Sequence, residues 1–308
     1  MISKEIFDQQ EIFSIYNEQI KLWINPADGM NIYEIWHQNK ALIQFDRARY
    51  EANQTCSVMT LFPTPNRVKN NHFTFEGITY PMENHGILKH AKFKVVQQVA
   101  SRDGGILRAS LDITNNHDDG NEYYSLFPFM CTLTLEIELQ QNQIYYRYHL
   151  QNKDNKNLPY GIGIHPFFHK PKDEELLIQV YASAYMEHNK EHFPTGRILP
   201  VTKSYDLQKA KKVDDLALDD VYLVHPPDIA AVIHYQDKKV LLSSSQEFEK
   251  LVVYTPKNLP YFCLENQTCS TDAINMYNKG YVKESSLIIL GPNDAKQGFI
   301  KIVIESSK

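Results

Sequence analysis

Glycine is scarce in this chain. Its 308 residues include 12 glycines, and neither GxGxxG nor GxxxxGK[ST] occurs. A glycine-rich loop cradling a nucleotide phosphate is therefore excluded. Cysteine is scarcer still: Cys56, Cys131, Cys263 and Cys269 form no CxxC pair and no zinc-ligand spacing, so each reads as a small core residue. Positive charge is not in excess, with 32 Lys+Arg against 37 Asp+Glu and a net charge of −5. Without a basic surplus to neutralise phosphates, nucleic acid is not an expected partner. No apolar run approaches the roughly 18–20 residues that span a bilayer. Residues 1–8 mix charges with isolated apolar side chains and lack the core of a secretory leader. A soluble protein of a reducing, cytoplasmic compartment is expected, with no membrane partner.

Aromatic rings are abundant instead: 19 Tyr, 15 Phe and 2 Trp. Such residues favour strands. Apolar–polar alternation recurs at 19–24, 31–36, 92–96, 107–113, 131–139, 144–150, 176–180, 230–235, 240–242, 251–255 and 299–304. That period puts one face on a core and the other toward water, the mark of antiparallel sheets. Helical periods are few, so βαβ folds are not expected. Turn signals at 103–105, 115–120, 154–157, 226–227 and 291–292 separate the runs. No linker, charge block or repeat divides the chain. Length alone suggests about two domains, but all-β folds reach roughly 250 residues as one unit. The pattern predicts an all-β fold, one large antiparallel β-sandwich over residues 1–308 with few short helices.

Chemistry-bearing residues gather in short segments. In Gly161–Phe168, two glycines permit close backbone approach, His165 sits among aromatic rings, and Pro166 is expected to end ladder bonding. A buried structural histidine and one presented to a ligand both fit that placement. His188 and His192 repeat a four-residue spacing with no third ligand nearby, so a metal is not expected there. Asn66-Arg67 and Asn84-His85-Gly86 supply groups that bind hydroxyls. Glu265 lies in an otherwise apolar, strand-like run, where burial costs a carboxylate dearly unless it is paired or used. A structural salt bridge to Arg67 or a lysine is the competing explanation.

Taken together, Asn66-Arg67, His85-Gly86, Gly163-x-His165-Pro-Phe-Phe168, Leu218-Asp219-Asp-Val-Tyr222 and Leu264-Glu265-x-Gln-Thr268 resemble, in order and spacing, the aldose 1-epimerases, the galactose-mutarotase-like family. The resemblance runs from about Gln19 to the last strand before Ser306. It implies a β-sandwich with an open cleft for a pyranose, no cofactor and no metal. It also implies His165 as general acid and Glu265 as general base, with Asn66, Arg67, His85 and Asp219 binding the substrate. Asp219 rather than Asp220 aligns with the family's acidic position. Phe167, Phe168 and Tyr222 are candidates for stacking on a sugar face.

The chain also departs from the family pattern. Galactose-specific members carry Asn-x-Leu-His-Gly-Gly where this chain has Glu83-Asn-His85-Gly-Ile-Leu-Lys-His90. Val252 falls where larger members carry glutamine. These differences leave the acid–base pair intact and bear on the identity of the sugar. The implied partner is a small-molecule hexose, free or phosphorylated. Lys69, Lys89 and His90 are the cations near the binding segments that a 6-phosphate would require. A non-catalytic sugar-binding protein on the same fold is the alternative outside enzymology.

Overall fold

The protein is seen in a computed structural model that describes residues 1–7, 9–116, 121–202 and 205–306. Most of the turn expected at 115–120 lies outside them. Alternation in the sequence becomes alternation in burial. Cys131–Gln140 pairs with Gln143–Asn152 in unbroken antiparallel register, leaving Gln141 and Asn142 as the turn. Leu133, Leu135, Ile137 and Leu139 face inward beside Ile144, Tyr146, Tyr148 and Leu150.

The strand pairs form two large sheets, one of 12 strands and one of 9, with two small two-stranded sheets beside them. Every ladder pairing within them is antiparallel. One contiguous core lies between the large sheets. It takes Ile15, Leu22, Phe168, Leu251, Phe262 and Leu264 from the larger sheet, and Leu107, Leu135, Tyr148 and Ile302 from the smaller. This is the expected sandwich. The helices among the described residues are all short, Asn121–Leu126 and Ala273–Asn278 being the longest.

From its middle to one edge, the larger sheet runs Gly163–His169, Tyr261–Gln267, Lys250–Tyr254, Asp219–Val224, Ala182–His188 and Pro194–Pro200. Tyr261–Gln267 is buried at every residue, and Gly163–His169 at all but the last. Both faces of these strands are covered, which erases the apolar–polar period. Gly163–His169 was accordingly absent from the alternating runs. Pro166 does not end that strand. Its residue pairs with Val58 on one side. On the other side, the ladder to Tyr261–Gln267 skips from Gly163 to Phe167. A missing N–H opens a gap in one ladder, while the neighbouring strand keeps the chain extended.

Phe168 is fully buried in the main core and stacks on Phe262 with centroids 5.7 Å apart. Phe168→Ala is predicted to cost about 3–5 kcal/mol of unfolding free energy in urea titrations. A loss of less than about 1 kcal/mol would contradict this account of the core.

Candidate active site

Pairing of Gly163 with Gln267 and of Phe167 with Cys263 brackets His165 and Glu265. The register therefore sets them opposite one another. Side chains alternate across a strand, so His165, Phe167, Cys263, Glu265 and Gln267 share the face turned away from the main core. Nε2 of His165 lies 3.4 Å from Oε1 of Glu265, and the two residues are 7% and 3% exposed. Gln267 Nε2 donates to the other carboxylate oxygen at 2.9 Å. The His165 ring stacks on Phe167 at 4.5 Å and 9°, and Phe167 meets Tyr261 edge-on. Arg49 lies over both aromatic rings and donates to the Tyr261 hydroxyl at 2.8 Å.

Burial dominates the electrostatics of the pair. It pushes Glu265 well above the usual carboxylate range, against the opposing hydrogen bond from Gln267. It holds His165 well below the usual imidazole value, assisted by charge on His85 and Arg49. Both shifts remove charge from a poorly solvated place. Burial thus favours the state in which both side chains are neutral, with the proton on the carboxyl group.

Two loops stand beside the pair, clipped to each other. His85 N–H donates to the Asn66 carbonyl and Ile87 N–H to the Phe62 carbonyl, while Val68 N–H donates to Asn84 Oδ1. Gly86 has φ of +83°, and a Cβ there would come within 2.0 Å of the Phe62 carbonyl oxygen. Only glycine permits this approach. The His85 and His165 rings are 5.4 Å apart. Asn66, with φ of 67°, accepts the Arg67 N–H on its own side-chain oxygen at 2.8 Å. It thus braces the loop that carries Arg67.

Arg67 does not form the alternative bridge to Glu265. Its Nη2 instead lies 2.8 Å from Asp219 Oδ2. Asp219 pairs with Tyr254, and Val221 with Val252, which in turn lies opposite Glu265. Asp219 is therefore on the Glu265 face, two strands away. Asp220 is occupied differently: Oδ1 accepts from His188 Nε2 at 2.8 Å. His192 Nδ1 is 3.6 Å from Asp219 Oδ2, and the rings of His188 and His192 stack. That spacing pairs two histidines with two aspartates.

Of the three aromatic residues offered for sugar stacking, Phe167 alone is on this face. Phe168 and Tyr222 alternate into the main core. Their positions in the sequence concealed this because both neighbouring faces are buried. Conversely, an apolar patch of Met186, Val221, Val252 and Met276 lies on the site side. Period 2 from Glu265 would have found Gln267 and Cys263. Nothing local marked Arg49, which arrives from the helix Arg47–Glu51. His165, Cys263 and Glu265 each offer one donor atom, all within 4.8 Å of one another.

Burial, then charge on Arg67 and Lys89, lowers His85 to about 4. Its NMR ring resonances are predicted to stay in the neutral position through the ordinary imidazole range and to move only near pH 4. Arg67→Ala should raise that midpoint. An ordinary midpoint in the unmodified protein would overturn this description of the loop pocket.

Comparison with known proteins fits this architecture. The family model for aldose 1-epimerase matches residues 28–301. A galactose mutarotase-like protein from Clostridium acetobutylicum superposes with a TM-score of 0.87 at 21% identity, covering 100% of this chain and 99% of that one. Galactose 1-epimerase from Lactobacillus acidophilus superposes at 0.78 with 14% identity, covering 100% and 99%. An aldose epimerase homologue from C. elegans gives 0.74 at 18% identity, covering 96% and 98%. These structures share the fold, and the family match spans nearly the whole length: the chain belongs to the aldose 1-epimerase family.

Proposed function

We propose that this protein, as a single sandwich domain, interconverts the α and β anomers of a free hexose, with His165 as general acid and Glu265 as general base. The observation that carries the reading is the buried pair at 3.4 Å, beside hydroxyl-binding groups on Arg67, His85 and Asp219. Asn66 serves by holding the Arg67 loop. Ring opening needs one proton delivered to the ring oxygen and one removed from the C1 hydroxyl. The C1–O5 bond breaks as the C1 carbonyl forms. Rotation about C1–C2 exposes the other face of the aldehyde, and reclosure returns both protons.

Burial of the pair has a direct use in this cycle. The proton must first move from the Glu265 carboxyl to His165, creating an ion pair that the site solvates poorly. Ring opening then spends the charge: imidazolium gives up its proton and carboxylate accepts one. The open-chain intermediate thus coincides with the neutral pair that burial favours, which offsets part of the cost of opening the ring.

The phosphorylated alternative has less support. His90, offered as a phosphate ligand, has Nδ1 2.6 Å from Asp28 and Nε2 3.0 Å from Asn53. Lys89 turns to the Asn53 carbonyl. Lys69 lies over Phe193.

Polarimetry of freshly dissolved α-D-glucose and α-D-galactose should show accelerated approach to anomeric equilibrium. Acceleration with the 6-phosphates alone would transfer the assignment, and tight sugar binding without acceleration would make this a binding protein. His165→Asn and Glu265→Gln should each lower kcat by roughly 10²–10⁴ without loss of fold. Full activity in either removes that residue's role. Because the active pair carries one proton, kcat/KM should fall on both sides of an optimum. Its acid limb should lie below the ordinary imidazole value, the direction in which burial moves His165. An acid limb above that value would exclude the one-proton pair.

A further inference from the structure

Cys263 has no part in the proton transfers, yet it lies on the same face as the pair and is fully buried. It stands two residues before Glu265 on one strand and opposite Phe167 on the next. The donor atoms of His165, Cys263 and Glu265 all fall within 4.8 Å of one another. We propose that these three side chains form a site for a thiophilic divalent cation, zinc above all, and that its binding blocks the acid–base pair.

The geometry is close to what zinc requires. With zinc about 2.0–2.1 Å from nitrogen or oxygen and about 2.3 Å from sulfur, tetrahedral donors sit roughly 3.3–3.6 Å apart. His165 and Glu265 already meet that spacing at 3.4 Å. The widest separation in the trio, no more than 4.8 Å, closes by at most roughly 1.2–1.5 Å on binding, within reach of side-chain rotation. All three donors project from the two central strands of the larger sheet, so the backbone positions are rigid. Three protein donors leave a fourth position for water, as in zinc sites that keep an open coordination position. Gln267, bonded to the far oxygen of Glu265, orients that ligand from behind.

Charge balance points the same way. Coordination releases the thiol proton and the carboxyl proton to solvent, and the two anionic donors then neutralise the dication. A buried carboxyl to which no lysine or arginine among the described residues is bonded thereby gains a cation. The sulfur donor selects zinc, cadmium or cobalt over magnesium and calcium, which prefer oxygen ligands. Zinc held there occupies Nε2 of His165 and an oxygen of Glu265, so neither can exchange a proton with a sugar. That consequence rests on the acid–base reading of the site, whereas the binding itself does not.

The test uses the full-length protein, purified free of metal, titrated with cobalt(II) and separately with zinc(II). Cobalt should produce a near-ultraviolet thiolate-to-metal band that is lost in both Cys263→Ser and Cys263→Ala. Zinc should inhibit mutarotation in competition with the sugar and be reversed by chelator. Both variants should keep turnover but need more than about tenfold more zinc for the same inhibition. No band in the unmodified protein, a band that survives in both variants, or equal zinc sensitivity in all three proteins would overturn the proposal. A band that depends on Cys263, in a protein that accelerates no hexose, would support the metal site and overturn the proposed activity instead.

Discussion

An imidazole and a carboxyl group face each other across two strands that bulk water barely reaches. Their separation of 3.4 Å follows from ladder register, not from a flexible loop. Low solvation decides their protonation, since it raises Glu265 and lowers His165. In the proposed cycle one proton serves both groups, and its movement between them accompanies ring opening. The rest of the site is arranged around that constraint: Gln267 steadies the carboxyl group, and Phe167 backs the imidazole under the guanidinium of Arg49.

The sandwich and its loops divide the work. The central strands hold the proposed acid and base with a precision that paired backbones supply. The segments 62–67 and 83–87 bring Arg67 and His85 alongside, and they keep their shape through mutual backbone hydrogen bonds and the glycine at 86. Asp219 comes from a third strand and is held by Arg67, so a loop cation and a sheet anion fix each other. The same packing that excludes water also buries a thiol against the carboxyl group. The site proposed for proton exchange thus also brings together the three donors of the proposed metal site.

Much of the architecture was legible from alternation alone. The runs at 107–113, 131–139 and 144–150 are three adjacent strands of the smaller sheet, whose outer face meets water. Alternation vanishes where strands are covered on both faces. Gly163–His169 carries the candidate acid and is buried on both sides, so no period remained to be seen. Pro166 does not end its strand for a related reason: pairing with Val58 keeps the chain extended past the residue that interrupts the other ladder. Phe168 and Tyr222 looked like sugar-stacking rings until their register placed them on the core face.

Local sequence determined the strand content, the turns, and the motifs that pick out His165, Glu265, Arg67, His85 and Asp219, because burial patterns and motif chemistry act over a few residues. Facing and proximity were decided only by tertiary structure. Register chose Asp219 for the site side and paired Asp220 with His188. Packing brought Arg49 from a distant short helix to lie over Phe167, and made Asn66 a brace of its own loop. The conjunction of His165 with Cys263 and Glu265 belongs to the same class, since 97 residues of chain lie between the histidine and the cysteine. Which strands become neighbours, and in which register, depends on how the whole apolar surface is buried at once, and no local spacing encodes that.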